Sequence, residues 1–348
     1  MPDLPELIVH IGAGKTGSTA IQFSLREAAT GPALARQGAG YVGLMLERVP
    51  GARRHDWCAE GAPQKFFQAR DRAQTDAEVY QVIRGELERL AARGINRVIW
   101  SNEAFLVQNQ RIIPILQRLA ADGVPIRVVA YVRRHDARAR SAYVEFGLKS
   151  KRNEGGLRPF ADWARDHAIR YADNLALWQA AFPGALRLYN FDAVGDVGAH
   201  FCAAVGLEGI VSVRANESPS DPLLAAWAVY NGSRPEPTWA NDFRRVAQPL
   251  KIQNPATPPV PPLEALMPGD ADLAALRDSC RGDLEAVNAI LSAQGQPVLE
   301  FTDRGAGRPV QVSSWDMDQM MLRMIYALQG QVLRLQRQVD ELTGKDAE

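Results

Sequence analysis

The sequence predicts an α/β fold with a mainly parallel sheet and helices on both of its faces. Two observations support this prediction: short apolar, β-branched runs of strand length recur along the chain, and segments with helical spacing separate them. Strands that alternate with helices usually form right-handed crossovers, which leave the strands parallel.

Four mainly apolar runs are predicted to be strands; they are residues 7–11, 97–101, 126–132 and 186–189. The spacing of apolar residues predicts helices over about 18–28, 76–93, 112–119 and 136–149. Residues 38–75 are rich in glycine, arginine and turn formers and receive no assignment. The order of the strands in the sheet cannot be read from the sequence.

Three regions are expected along the chain. Residues 1–234 would form the α/β core, and residues 235–315 an irregular, proline-rich extension or lid. Residues 316–348 are expected to form an amphipathic helix whose apolar residues alternate by four and three. These residues are Met321, Ile325, Leu328, Val332, Leu335, Val339 and Leu342. The pattern suits a coiled-coil seam between copies of the chain, and a surface helix packed on its own domain is the alternative.

The composition indicates a globular protein that does not bind polyanions in general. Lys+Arg and Asp+Glu both number 40, and this balance argues against nucleic acid as a partner. Three distant cysteines without a CxxC pair favour a reducing compartment. The acidic N-terminus does not resemble a signal peptide, and no stretch is long and apolar enough to span a bilayer. A cytoplasmic protein is therefore expected.

Residues 12–19 follow the first predicted strand and open the first predicted helix. Glycines let a backbone turn tightly around a ligand, and a helix N-terminus offers N–H groups and a positive dipole end. A lysine and three hydroxyls add further donors. The segment therefore predicts a site for a phosphate-like anion, with the candidate ligand-binding residues Gly14, Lys15, Thr16, Gly17, Ser18 and Thr19.

Two familiar nucleotide-binding loops fit this segment poorly. Gly12, Gly14 and Gly17 spell the G-x-G-x-x-G of dinucleotide-binding domains, but no acid for the ribose stands near residues 33–38. A Walker A loop needs a glycine six residues before its lysine, where this chain has Val9. No apolar strand ends in the aspartate expected to bind Mg²⁺.

The segment HIGAGKTGST, residues 10–19, resembles the 5′-phosphosulfate loop of sulfotransferases, particularly their bacterial branch. These enzymes use 3′-phosphoadenosine 5′-phosphosulfate (PAPS). Arg133, at the end of the third predicted strand, and Ser141, eight residues later, resemble the family's 3′-phosphate element. Residues 216–218, Asn-Glu-Ser, look like a further signature. The resemblance covers about residues 7–145, and it implies a P-loop-like sulfotransferase core, PAPS as donor, 3′-phosphoadenosine 5′-phosphate (PAP) as product, and no required metal.

Two family features are missing from this sequence. It has no counterpart of the RKG-like segment that closes over the nucleotide in animal cytosolic members, so the grip on the 3′-phosphate is incompletely accounted for. The dimer signature of those animal enzymes is also absent.

Sulfuryl transfer needs stabilisation of charge on the leaving phosphate oxygen and a base that takes the acceptor's proton. Lys15 and the helix N-terminus are expected to supply the first. Glu103, just past the second predicted strand, is the first candidate base, because related glycan sulfotransferases place a catalytic glutamate in a comparable region. His55 is the rival, since histidine serves in other branches, whereas His10 is expected to be a core histidine. No cluster of metal ligands is visible.

The sequence does not identify the acceptor. A small molecule, a carbohydrate or a lipid headgroup with a hydroxyl or amine would be compatible. Two other functions stay open: a P-loop-type nucleotide kinase, and a non-catalytic nucleotide-binding scaffold that assembles through the C-terminal helix.

Overall fold

The computed structural model describes residues 3–58, 63–213, 219, 221–232, 234–247, 261, 263–301 and 311–343. Within these residues a five-stranded sheet has all strands parallel, in the order β2-β3-β1-β4-β5. Its strands are β1 (Glu6–His10), β2 (Ala39–Tyr41), β3 (Arg97–Ser101), β4 (Ile126–Val132) and β5 (Leu186–Asn190). The predicted α/β fold with a parallel sheet is confirmed. All four predicted strands are present, and β2 is an additional one.

Thirteen α-helices occur in the described residues. They are α1 (Ser18–Ala28), α2 (Arg72–Ala91), α3 (Asn109–Ala121), α4 (His135–Tyr143), α5 (Phe160–His167), α6 (Tyr171–Ala181), α7 (Val197–Ala204), α8 (Asp221–Gly232), α9 (Ala240–Ala247), α10 (Leu263–Leu266), α11 (Asp270–Ser279), α12 (Arg281–Ala293) and α13 (Ser314–Thr343). A short π-helical segment, Val144–Leu148, continues α4. None of the described helices combines the length and apolar character needed to cross a membrane.

The region expected to be an irregular extension contains regular structure. Helices α10, α11 and α12 fill much of residues 263–293. The prolines that suggested an irregular chain are concentrated before residue 263, and residues 248–260, where many of them lie, fall outside the described part.

The chain divides into two compact units, each built from three segments. The first comprises Met1–Arg138, Ile169–Glu217 and Ser279–Phe301, and the second comprises Ala139–Ala168, Ser218–Asp278 and Thr302–Glu348. The boundaries expected at residues 234 and 315 do not coincide with this division, because both units are discontinuous in sequence.

The sheet of the first unit is buried on both faces. Leu7 and Val9 of β1 pack in a cluster that includes side chains of α2, α3, α6 and α12. Ile8 faces the opposite side and packs with side chains of α1 and α7. A strand covered on both faces needs apolar residues at successive positions, so the strands appear in the sequence as continuous apolar runs.

Helix α12 is an integral part of the first unit, although it lies late in the sequence. Leu284, Val287 and Leu291 enter the core cluster beneath the sheet. The carboxylate of Asp283 accepts the N–H groups of Tyr171 and Ala172 at 3.1 and 2.6 Å. It thereby caps α6, whose own N-cap residue provides no side-chain bond.

In the second unit a buried lysine joins separate segments. The ammonium of Lys151 donates to the backbone carbonyls of Gly155 and Arg234. The backbone of Lys151 also pairs with that of Thr238. Burial lowers the pKa of this lysine, and carbonyl oxygens replace the water it loses.

Candidate functional site

The loop after β1 is anchored along the neighbouring strand β4. The N–H groups of Ile11 and Ala13 donate to the carbonyls of Val129 and Tyr131, at 2.9 and 3.0 Å. The carbonyl of Gly12 accepts the N–H of Tyr131 at 3.1 Å. The pairing of β1 with β4 therefore continues past the end of the strand and gives the loop a fixed base.

Three loop residues adopt left-handed backbone conformations. Gly12 and Gly17 have φ angles of 83° and 79°, which glycine reaches without steric cost. Lys15 has a φ angle of 74°, uncommon for a residue with a side chain. Such a conformation costs on the order of 1–3 kcal/mol, and such residues concentrate at ligand sites. The loop thus keeps a strained lysine in a defined backbone geometry.

The N-terminus of α1 opens directly from this loop. Its N-cap residue, Gly17, makes no side-chain capping bond, and the first turn contains no acidic residue. The first amides of a helix have no partner within the helix, and they lie at the positive end of its dipole. This end of α1 is therefore suited to an anion.

The loop hydroxyls have an internal role in this geometry. The hydroxyls of Thr16 and Ser18 donate to the carbonyl of Ala13 at 2.5 and 3.4 Å, and both residues are buried. These two hydrogen bonds stabilise the conformation of the loop. Gly14, Lys15 and Thr19 are only partly buried.

Glu103 lies directly beside the loop. A β-carbon added to Gly12 would lie 2.6 Å from Cα of Glu103. Glu103 begins a short 3₁₀ turn after β3, and the side chain of Asn102 caps that turn by accepting the N–H of Ala104 at 3.0 Å. The carboxylate of Glu103 is half-buried and is not the cap.

Gln22 on α1 holds this carboxylate. Its Nε2 donates to Oε2 of Glu103 at 2.7 Å. Gln22 stands one helical turn after Ser18, so it lies on the face of α1 that continues from the loop. Gln22 was not among the site residues predicted from the sequence, although its spacing from Ser18 was a usable signal.

Gly12 and Glu103 lie side by side after the neighbouring strands β1 and β3. The helices that follow these two strands pack on opposite faces of the sheet. After β1 the chain enters α1, which packs on one face of the sheet. After β3 it enters α3, which packs on the other face. Such a divergence opens a crevice at the carboxyl ends of the strands, where α/β proteins commonly bind ligands.

Arg133 stands at the carboxyl end of β4, on the other side of β1. Its Nε lies 3.3 Å from Oδ1 of Asp192, and its guanidinium lies over the ring of Phe191 at 5.1 Å. Oδ2 of Asp192 accepts the N–H of Arg134 at 3.1 Å. Asp192 follows β5, so it could have been found by the same argument that selected Glu103, an acid just past a strand end.

The backbone at Arg133 is supported from beneath by a buried network. Its N–H donates to the hydroxyl of Tyr171 at 3.4 Å, and burial raises the pKa of Tyr171 to about 12. His135 lies against the Tyr171 ring, and its Nε2 lies 2.6 Å from Oδ2 of Asp283. Burial raises the pKa of Asp283, but the hydrogen bonds from His135 and from the α6 amides outweigh it and lower the pKa overall. No sequence signal links residues so distant along the chain.

His55 belongs to a different cluster. Its Nδ1 lies 3.1 Å from Oε2 of Glu78 on α2, and its ring stacks on Trp57 at 5.1 Å. Hydrogen bonds from Gln74 and Trp57 lower the pKa of Glu78. His55, Gln74 and Glu78 border an open groove of about 560 Å³. The imidazole is thus oriented by Glu78, which is distant in sequence.

The remaining predicted residues have separate positions. Ser141 is half-buried on α4 and belongs to the second unit, so its role toward a 3′-phosphate stays a prediction. Residues 216–218 lie outside the described part of the chain. His10 is a core residue: its Nδ1 lies 2.7 Å from Oγ of Ser101, and burial lowers its pKa to about 3.

The described residues contain no group of three or more His, Cys, Asp and Glu placed to hold a metal ion.

No protein-family model matches this sequence. A search of curated proteins found no match either.

Proposed function

We propose that the protein is a sulfotransferase that moves a sulfuryl group from PAPS to a hydroxyl or amine of a small molecule, carbohydrate or lipid headgroup. The observation that carries the proposal is the loop of residues 10–19. Its sequence resembles the phosphosulfate loop of that family, and its lysine stands between a strand and an uncapped helix N-terminus. Glu103 borders the same loop.

In the proposed reaction the donor's 5′-phosphosulfate occupies the loop and the N-terminus of α1. The acceptor oxygen or nitrogen forms a bond to sulfur while the bond from sulfur to the bridging phosphate oxygen breaks. The electron pair of that bond stays on the phosphate of PAP. Lys15 and the amides of α1 stabilise this charge, because preorganised donors cost no reorganisation during the reaction.

Glu103 is the base that takes the acceptor's proton. Its carboxylate is next to the loop and is positioned by Gln22. Because one carboxylate oxygen accepts a hydrogen bond at 2.7 Å, the side chain has a defined orientation, which a general base requires. His55 remains the alternative base, with Glu78 as its orienting carboxylate.

Arg133 is proposed to bind the donor's 3′-phosphate. A guanidinium at the carboxyl end of a parallel strand can bind a phosphate with two parallel hydrogen bonds. Its Nε edge already faces Asp192, so this carboxylate would fix the direction in which the guanidinium points.

The test is which nucleotide stabilises the folded protein. Because a ligand that binds only the folded state raises the melting temperature, PAP should raise it at concentrations where ATP with Mg²⁺ and 5′-AMP do not. Lys15→Ala should reduce the PAP-induced shift, whereas Lys65→Ala, which removes an exposed lysine elsewhere, should leave it intact.

A shift with ATP and Mg²⁺ but none with PAP would overturn the proposal in favour of a nucleotide kinase. If PAP binds, incubation with ³⁵S-labelled PAPS and a mixed acceptor panel should label a product. Binding of PAP without transfer to any acceptor would instead support a nucleotide-binding scaffold.

A further inference from the structure

Helix α13 exposes a line of large apolar side chains to solvent. Val332, Leu335 and Val339 retain 57, 60 and 52% of their surface, and Met321 and Ile325 are also exposed. Of the large apolar residues found exposed in the described part of the chain, half belong to this helix. Soluble proteins seldom leave such a contiguous stripe uncovered unless it contacts a partner.

The stripe has the spacing of a coiled-coil seam. The apolar positions from Met321 to Leu342 alternate by four and three, so they can be assigned to the a and d positions of a heptad. The a positions are Ile325, Val332 and Val339, and the d positions are Met321, Leu328, Leu335 and Leu342. β-Branched residues at a with leucine at d favour two parallel strands, because each side chain then fits the hole that the partner offers.

The residues beside the seam indicate which partner it accepts. The flanking e and g positions include Gln331, Gln336 and Gln338, which are all neutral amides. Charges at these positions select a partner of opposite charge and repel a copy of the same helix. Neutral amides do neither, and an amide can both donate to and accept from another amide. The seam is therefore self-complementary.

We infer that residues 321–342 form a parallel, two-stranded coiled coil with a second copy of this chain. The inference does not depend on the proposed activity, because it rests only on the exposure and register of α13. The seam is about 32 Å long at 1.5 Å per residue and contains three heptads, and it buries the stripe that the single chain exposes.

The solution mass of the full-length chain provides the first test. Light scattering coupled to size exclusion at tens of micromolar should give twice the 38.2 kDa of one chain. Leu335→Glu places a charge in the seam and should give the mass of one chain. Leu333→Glu is the matched control: Leu333 is 51% exposed on the same helix but lies off the seam, so its variant should remain dimeric.

Because both leucines are exposed in the single chain, neither change should disturb its fold, and circular dichroism will verify this. A wild-type mass of one chain would overturn the inference, as would a trimer or tetramer. Equal dissociation by both variants would also overturn it, because the contact would then not follow the heptad register.

A cysteine at an a position tests the parallel orientation. In a parallel pair, Val339→Cys brings two identical positions together, and mild oxidation should give a covalent dimer. In an antiparallel pair the same two positions would lie about 22 Å apart along the axis, too far for a disulfide, which needs Cα atoms within about 7 Å. The native cysteines are buried and should not cross-link. A dimer that resists this cross-link would overturn the parallel arrangement.

Discussion

The backbone of Gly12 lies against that of Glu103, so closely that a β-carbon at Gly12 would be 2.6 Å from Cα of its neighbour. One residue follows β1 and the other follows β3. Their contact fixes the loop of residues 12–19 relative to the proposed base, so an added methyl group at Gly12 would disturb both.

Gly12→Ala should therefore destabilise the protein strongly. The change forces an alanine into a left-handed conformation, which costs about 1–2 kcal/mol, and it adds a clash with backbone that cannot move easily. We expect the free energy of unfolding in urea to fall by at least about 2 kcal/mol. Gly14→Ala is the control: nothing lies within 4 Å of the added carbon, and its stability should stay the same or rise by up to about 1 kcal/mol. Equal losses in both variants would contradict the packing described for Gly12.

Lys15→Ala should remove most of the sulfuryl transfer activity while the protein remains folded. The lysine supplies the proposed charge at the leaving phosphate oxygen, and loss of one such stabilising group commonly slows turnover by about 10²–10³. Turnover with labelled PAPS and circular dichroism should be measured on the same sample. Turnover at the wild-type rate would rule out this role for Lys15.

Glu103→Gln should separate binding from chemistry. Glutamine keeps the shape and can still accept the hydrogen bond from Gln22, but it cannot take a proton. We expect nearly unchanged PAP affinity and a fall in turnover of about 10²–10⁴. His55→Ala should retain turnover. The reverse pattern, in which only His55→Ala is inactive, would make the histidine the base, and a parallel loss of PAP binding in Glu103→Gln would give the glutamate a binding role.

Arg133→Ala should remove the preference for PAP over 5′-AMP. A charge-assisted hydrogen bond contributes about 1.5–3 kcal/mol, or roughly 10- to 150-fold in affinity. Arg127→Ala is the matched control, since Arg127 lies near the opposite end of the same strand and pairs with Glu6. Calorimetry with both nucleotides would measure the effect. Equal binding of PAP and 5′-AMP by the wild type would exclude a 3′-phosphate site.

His10 should make the protein less stable as the pH falls. Burial lowers its pKa to about 3 in the folded state, whereas an unfolded histidine has a pKa of about 6.5. The contribution of the buried, neutral His10 to the free energy of unfolding is fully present above pH 6.5. It is lost as the pH falls toward 3, at up to about 1.4 kcal/mol per pH unit.

The variant His10→Asn removes this titration. Urea unfolding between pH 7.5 and 5 should then show a shallower pH dependence than the wild type, by up to one proton. Burial also lowers the pKa of His200, so some dependence should persist in the variant. Identical slopes in the two proteins would refute the assignment.

The sequence predicted best those elements whose burial requires an unbroken run of apolar residues. Strands β1, β3, β4 and β5 are apolar at successive positions because helices cover both faces of the sheet. Strand β2 has only three residues with a glycine in the middle, too few to show a pattern. Its place at the edge of the sheet is set by pairing with β3, which is distant in sequence.

The candidate site was predictable where its residues are consecutive. Residues 12–19 form a local motif, so an anion site could be proposed there from the spacing of the residues alone. The partners of Glu103 and Arg133 are Gln22 and Asp192, and folding brings them together from distant parts of the chain. Such pairs leave no periodic signal in a single sequence.

The cap that Asp283 places on α6 has a consequence for the order in which this protein can fold during its synthesis. All five strands have been made once the chain reaches residue 190. At that stage Asp283 has not yet been made, so the amides of Tyr171 and Ala172 lack their hydrogen-bond acceptor and His135 lacks its carboxylate partner. These contacts close only after α12 has left the ribosome, some ninety residues later. The first unit is therefore completed late, and a chain released before α12 is made would leave exposed the part of the core that Leu284, Val287 and Leu291 cover.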